Sequence, residues 1–426
     1  MKTTELIALL KEGKADEKIC ALYGKENADF QRARYIAAAE AFVELYGDRE
    51  GTALFSVPGR SEISGNHTDH NHGRVIAAAI DLDIIAVACK TEDRIVRIKS
   101  EGRDEDVVEI ASIAVDESRF FSSASLIAGE CAGFVKYGHQ IGGFVAYTTN
   151  RVAKGSGLSS SAAFEDMVGN ILNHFYNDGV VPSPEIAKIS QYSENVYFGK
   201  PCGLMDQTAC AVGGFVAIDF ADPSAPVIEK MDFDLSALGY NLCITNTGGN
   251  HADLNEDYAS VPAEMKAVAG YFGKEVLRGM KAEEIIAAAP ALREKFGDRA
   301  ILRALHFIDE NDRVEKQTEA VRRGDLDAFL AYALASGNSS FKYLQNVYTT
   351  KNIAEQGLSL ALAVTENVLS GCRAAWRVHG GGFAGTIQAF VPSSDVERYK
   401  KTMDQVFGEG ACSVLRVRGD GAIRVI

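Results

Sequence analysis

Apolar positions in residues 1–50 recur at helical spacing, with Leu6, Leu9 and Leu10 on one face and an alanine-rich stretch over 35–45, which predicts helices there. The spacing then changes. Apolar runs at 53–57 (ALFSV) and 84–88 (IIAVA) predict strands, separated by the polar, glycine-containing segment GRSEISGNHTDHNHG at 59–73. Polar loops carried between rigid elements are where ligand-binding side chains concentrate. GGFVAYTTN (142–150) predicts another strand, 155–161 a small-residue loop, and Phe164, Val168, Ile171 and Phe175 a helix, so the local order is strand, loop, helix. A second helix is predicted over 184–197, and GGFVAIDF (213–220) reads as a strand ended by the turn-forming ADPSAP.

The second half repeats the mixture. A strand is predicted near 242–246, a largely helical region over 282–335, and AAWRVHGGGFAGTIQAFVP (374–392) reads as strand, glycine turn, strand. SVLRVR and AIRVI predict closing strands near the end. No repeat of 20–50 residues and no low-complexity tract interrupts the pattern. Hairpins interspersed with helices predict an α+β fold in two domains, 1–222 and 223–426.

Composition narrows the class. The 426 residues are 46% hydrophobic and 24% charged, as in a globular protein with room for two cores. A net charge of −14 repels nucleic-acid backbones and anionic lipid surfaces, so neither is an expected partner. Any phosphate site must therefore be built locally, from a helix N-terminus, a metal ion or a placed arginine. The eight cysteines are far apart, form no CxxC pair and sit mostly in apolar runs, which predicts reduced core residues. No window approaches eighteen uninterrupted apolar residues, and the opening MKTTELIALLKEGKADEK has only a short apolar stretch; the expected location is cytoplasmic.

Four segments carry candidate chemistry. In KGSGLSSSAAFE (154–165), glycines allow close backbone approach and serines precede a helix whose N-terminal N–H groups suit phosphate; a plain turn with a serine cap fits the same letters. In CGLMDQ (202–207), Asp206 lies in an apolar neighbourhood that is costly for an acid unless it is paired or used, and Glu194 on the preceding helix can join it; a turn or cap role is the alternative. The 59–73 segment gathers Arg60, His67, Asp69, His70 and His72, suited to a polyhydroxylated ligand, although a solvated loop and a zinc site remain open. GGGFAG (380–385) satisfies GxGxxG, but TIQAFV after it reads as a strand, which argues against a dinucleotide site.

Taken in this order, GRSEISGNHTDHNHG, GSGLSSSAA, SENVYFGKPCGLMDQ and HGGGFAG resemble the signature segments of GHMP kinases, and of the galactokinase family in particular; RALHFIDENDRV (303–314) resembles a helical segment of that family's second domain. The resemblance implies an N-terminal mixed sheet with helices and a C-terminal ferredoxin-like α/β sandwich. It also implies transfer of the γ-phosphoryl group of ATP to the anomeric hydroxyl of galactose, with Mg²⁺. Under it, Asp206 is the base and Arg60 its charged neighbour. Gly155, Ser156, Gly157, Leu158, Ser159, Ser160 and Ser161 bind ATP, Ser161 and Glu194 hold Mg²⁺, and Asn66, His67, Asp69, Gly203 and Tyr258 touch the sugar. The chain departs from the family pattern at Asn66, where a glutamate is usual, and at His70 and His72, and DYASVPAEM around Tyr258 lacks following arginines. An amide in place of a carboxylate leaves room for a sugar altered at its distal end, such as galacturonate or arabinose. A non-catalytic galactose and ATP sensor and a metallohydrolase on the histidine loop are the rivals. The expected partners are small molecules, the chain being a monomer or small homo-oligomer.

Overall fold

The computed structural model describes residues 1–152, 157–249 and 254–426. The opening helices are α1 (Thr3–Lys11), α2 (Asp16–Tyr23) and α3 (Ala28–Tyr46), the last burying Tyr35, Ala38, Ala39 and Phe42 along one stripe. Strands β1 (Ala53–Ser64) and β2 (Arg74–Lys90) follow, then the hairpin of β3 (Ile95–Ser100) and β4 (Glu105–Glu109). Next come α4 (Ser123–Lys136), β5 (Phe144–Asn150), α5 (Ser160–Tyr176), α6 (Ser183–Tyr192), α7 (Met205–Val212) and the hairpin of β6 (Phe215–Asp219) and β7 (Val227–Met231). The remainder holds β8 (Tyr240–Asn246), then α8 (Asn255–Tyr271), α9 (Ala282–Ala287), α10 (Ala289–Phe296), α11 (Asp298–Arg322), α12 (Leu326–Ser339) and α13 (Gly357–Val368). It closes with β9 (Ala375–His379), β10 (Thr386–Pro392), α14 (Val396–Phe407), β11 (Cys412–Leu415) and β12 (Ile423–Arg424).

The larger sheet runs β12-β1-β2-β5-β3-β4, with β6 and β7 added along the first half of β2. Both faces of β2 are covered, which is why its sequence is a continuous apolar run. Ile84, Ala86 and Ala88 enter the core shared with Ile127 of α4 and Ile171 of α5, while Ile85, Val87 and Cys89 pack under Leu6, Tyr35 and Phe42 of the opening helices. Each such aliphatic side chain contributes about 1.5–3 kcal/mol by leaving water.

The smaller sheet has the order β11-β8-β10-β9, antiparallel throughout, with helices between β8 and β9 and between β10 and β11. That is the ferredoxin-like arrangement. The chain passes from one sheet to the other between Met231 and Tyr240, so the hairpin partner β7 lies beyond residue 222, and β12 returns to pair with β1.

Two elements differ from the sequence expectation in ways that shape the site. β1 continues to Ser64, so 59–64 is strand and the turn is confined to 65–73. The helix expected over 184–197 stops at Tyr192 and widens into a π-helical turn at Ser193–Phe198. π-Helical turns are rare and recur at functional sites, and this one carries Glu194.

A buried network locks the frame. Asp83 on β2 accepts from Arg34 Nη1 of α3 at 2.6 Å, from Tyr23 Oη of α2 at 2.5 Å, from Arg418 Nη1 at 3.3 Å and from the Ser56 hydroxyl of β1. The two sheets are joined where the hydroxyl of Ser61 donates to Gln388 Oε1 at 3.1 Å and lies 3.1 Å from His379 Nε2, and where Arg377 Nη1 donates to the carbonyl of Ile63 at 2.7 Å. These contacts set the glycine turn after β9 against the turn after β1.

Candidate active site

Arg60 and Asp206 meet as a forked ion pair: Nε donates to Oδ1 at 2.8 Å and Nη2 to Oδ2 at 2.6 Å. Arg60 sits in the middle of β1 and Asp206 in the first turn of α7. The third guanidinium nitrogen donates to the carbonyl of Gly157, and the hydroxyl of Ser159 donates to Asp206 Oδ2. The small-residue loop and the carboxylate therefore belong to one site. The backbone N–H of Arg60 also donates to the carbonyl of Leu158 at 3.0 Å, and a Cβ on neighbouring Gly59 would stand 2.7 Å from that oxygen, so only glycine lets strand and loop come this close. Ser159 caps α5 in the left-handed region, at φ 59°, and Ser160 and Ser161 open the helix, whose N-terminus carries a partial positive charge. The expected ATP contacts Gly155 and Ser156 lie outside the described residues.

Electrostatics hold the pair ionised. Burial would raise the Asp206 carboxyl, but the charge of Arg60 and the Ser159 hydroxyl keep it below its ordinary value. His379, behind Arg60, is pushed down to about 3 by burial and by the charges of Arg60 and Arg377, so it is a neutral imidazole.

Glu194, almost fully buried, accepts from Lys200 Nζ at 2.8 Å, Gln207 Nε2 at 2.8 Å and Ser161 Oγ at 3.4 Å. A cavity of about 490 Å³ is lined by Ser160, Ser161, Glu194 and Lys200 together with Phe121, Phe164 and Phe198. Hydroxyls and charges beside aromatic walls suit a nucleotide, which carries phosphates and an aromatic base. Ser161 and Glu194 are an all-oxygen pair of the kind Mg²⁺ accepts, since that ion takes few protein ligands and completes its shell with water and phosphate. The donor set fits. Among the described residues no group of three or more His, Cys, Asp or Glu side chains is placed to hold one metal ion, so the zinc reading of the histidine loop finds no support in its geometry.

Glu130 and Asp166 are fully buried; among the described residues no well-formed hydrogen bond reaches their carboxylate oxygens, and Ser190 lies beside both. Burial raises both well above the ordinary range; the proximity of Asp166 adds to the rise at Glu130, and the charge of Asp206 to that at Asp166. The fold thus favours the protonated form of both. Because their folded values lie above the unfolded ones, the stability they contribute is complete below about pH 4 and is lost as pH rises, at up to about 1.4 kcal/mol per pH unit for each group. Glu130→Gln is expected to flatten this alkaline decline, with urea unfolding curves of variant and parent diverging above neutrality and converging in acid; curves that stay parallel across pH would count against it.

The turn after β1 and the glycine turn after β9 face each other. His67 Nε2 lies 2.9 Å from the carbonyl of Gly381, Tyr258 Oη donates to that of Gly382 at 2.9 Å, and a Cβ on Gly203 would stand 3.0 Å from Asp69 Oδ2. His67, Asp69, Gly203 and Tyr258 thus gather round one turn. GGGFAG joins two antiparallel strands, and a Cβ on Gly382, at φ 81°, would fall 2.0 Å from the carbonyl oxygen of Asn346. Burial, then the charge of His70, lowers His67 to about 4, so it is neutral at working pH.

Asn66 corrects the sequence expectation. Its amide donates to the carbonyl of Gly380 at 2.7 Å and to Glu62 Oε1 at 3.1 Å, and its oxygen accepts from Asn346 Nδ2 at 2.7 Å and Ser340 Oγ at 3.2 Å. Every donor and acceptor of the side chain is used, and no surface is exposed. Asn66 is a strut between the two halves, with nothing left for a sugar.

The residue that sequence reasoning passed over is Glu62. It stands two positions from Arg60, hence on the same side of the strand, and its Oε1 also accepts from Arg377 Nη2 at 3.0 Å. Its other oxygen makes no hydrogen bond among the described residues, and the charges of Arg60 and Asp69 reach it. Had β1 been drawn to Ser64, its alternation would have pointed to Glu62.

Residues 40–90 match the galactokinase galactose-binding signature and residues 125–214 the GHMP kinases N terminal domain. A galactokinase of Streptomyces coelicolor is 30% identical over 383 residues, covering 89% of this chain and 94% of that one. The chain belongs to the galactokinase family. A second galactokinase, from Lactobacillus helveticus, is 30% identical over 378 residues, covering 85% of this chain and 92% of its own. Lactococcus lactis galactokinase complexed with galactose shares the fold at a TM-score of 0.75, with 24% identity over 92% of this chain and all of that one. The Methanococcus jannaschii mevalonate kinase shares it at 0.60, with 15% identity over 87% of this chain and 99% of that one. In this member of the family an arginine–aspartate pair lies beside the N-terminus of α5, and an asparagine strut joins the turn after β1 to the glycine turn after β9.

Proposed function

We propose that the chain is an ATP-dependent galactokinase that transfers the γ-phosphoryl group to the anomeric hydroxyl of galactose. The observation that carries the reading is the convergence of Arg60, Ser159 and the Gly157 carbonyl on Asp206, which puts one ionised carboxylate between a phosphate-binding helix terminus and the sugar turn. The residues divide the work. The N-terminus of α5 and its serines hold phosphate oxygens. His67, Asp69, Tyr258 and the Gly203 backbone orient the sugar, so that its anomeric oxygen faces the terminal phosphorus. Asp206, held low in pKa, is a weak base; it aligns the hydroxyl and takes its proton as the new bond to phosphorus forms. Arg60 fixes that carboxylate and sets a positive charge beside the transferring group. Ser161 and Glu194 would hold Mg²⁺, which when bound neutralises charge on the bridging phosphates.

Arg60 and Arg377 are already paired, with Asp206 and Glu62, so neither is free to match a second anion, which disfavours a substrate such as galacturonate and favours a neutral hexose rich in hydroxyl donors. We place two domains along the chain, moving the junction expected at 222 to the crossing between Met231 and Tyr240 so that the hairpin β6–β7 stays whole in the first, in a cytoplasmic monomer or small homo-oligomer. No helix among the described residues is long and apolar enough to cross a membrane.

A coupled ADP assay with ATP, Mg²⁺ and a panel of galactose, galacturonate, arabinose, glucose and N-acetylgalactosamine tests the reading. Galactose is expected to give the highest kcat/KM and galacturonate the lowest. ADP release with galacturonate ahead of galactose would reverse the substrate assignment, and nucleotide binding with no sugar-dependent release would make the protein a sensor.

A further inference from the structure

Lys200 is used by no step above. It follows Gly199 at the end of the π-helical turn, and its position is built twice over from Glu194: its backbone N–H donates to the Glu194 carbonyl at 3.2 Å and its ammonium to Glu194 Oε1 at 2.8 Å. The carboxylate is 3% exposed and the lysine side chain 55%, so the ammonium lies over the carboxylate on the cavity side. Glu194 Oε1 is also the oxygen that faces the Ser161 hydroxyl. A divalent cation shared by that pair and the ammonium of Lys200 therefore compete for one oxygen.

The charge balance says where the lysine goes. Without nucleotide, Asp206 and Glu194 are matched by Arg60 and Lys200. A metal ion on Glu194 releases Lys200 on a flexible four-carbon stem into a cavity whose new occupant is a polyphosphate, the acceptor to which an ammonium point charge is best suited. Resting on the kinase reading of this site, we infer that Lys200 is a phosphate-contacting residue, held on Glu194 in the empty enzyme and transferred to the nucleotide's terminal phosphates when ATP enters. The lysine thus guards the metal ligand from an unmatched charge in one state and stabilises the donor in the other.

The test is calorimetry of ATP and of adenosine, each at saturating Mg²⁺, on the parent, Lys200→Met and Lys200→Arg. Loss of a charged hydrogen bond to phosphate should weaken ATP binding about tenfold or more in Lys200→Met, leave adenosine within about twofold, and be largely restored in Lys200→Arg. Mn²⁺ binding followed by electron paramagnetic resonance should be as tight or tighter in Lys200→Met, since a competitor for Glu194 is gone. Unchanged ATP affinity in Lys200→Met, or an equal loss for adenosine, overturns the inference while the kinase reading stands. A parent protein that binds no ATP would end both. Lys200 is half exposed, so neither substitution empties a core.

Discussion

Asp206→Ala is expected to lower sugar-dependent ADP release by about two to four orders of magnitude, the usual span for loss of a positioned base, while leaving ATP affinity within a few fold. The reason is geometric. Asp206 is joined to the nucleotide side through Ser159 and Arg60, but the serines and the helix N-terminus that hold phosphate belong to α5 and survive its removal. Arg60 keeps the Gly157 carbonyl as a partner, so the loop should stay in place. Asp206→Asn, with the same shape and no charge, should be nearly as inactive, because an amide cannot take the proton. Initial rates with galactose, alongside calorimetric titration of ATP, decide the matter. A kcat within tenfold of the parent in either variant would remove Asp206 from its role.

The largest effect on stability is expected at a residue far from the chemistry. Asp83→Asn should cost about 3–5 kcal/mol, the range for breaking a buried pair and leaving its partners charged. Asp83 and Arg418 have no exposed side-chain surface, and Arg34 has 9%. The pH dependence has the opposite sign to that of Glu130. Burial would raise the Asp83 carboxyl, but Arg34 and Arg418 draw it below its ordinary value, so its contribution is present above the unfolded pKa and is lost as pH falls. Urea unfolding at neutral pH should show the loss, and the gap between parent and variant should narrow in acid. A destabilisation below about 1 kcal/mol would mean that water or backbone groups satisfy both arginines without the carboxylate.

Much of this arrangement could be read before any coordinates. The apolar spacing gave away the opening helices, the strand–loop–helix around 155–161 and the strand–turn–strand around 380–385, because each obeys a single local period. The motifs also singled out Arg60 and Asp206, which pair with each other, and His67, Asp69, Gly203 and Tyr258, which lie round the glycine turn; their roles toward sugar and phosphate are the proposal above. What escaped was what depends on partners distant in sequence. Asn66 looked like a ligand because an amide on a polar loop invites one; Gly380, Ser340 and Asn346, which consume it, lie some three hundred residues away. Glu62 was hidden because SEIS looks too polar for a strand, yet β9 and β10 pair its polar groups and bury them. The β3–β4 hairpin, charged on one side and short, gave too weak an alternation to notice.

The return of β12 to β1 has a temporal meaning. Phe55 finds its strand partner at Arg424, and the carboxylate of Asp83 finds its second guanidinium at Arg418. During synthesis the first sheet therefore waits with an open edge, and with one arginine short, until residues 418–424 have been made. Vectorial folding cannot finish the half of the molecule that is made first before those residues arrive; its closure is a late zipping of a distant strand onto a frame already formed.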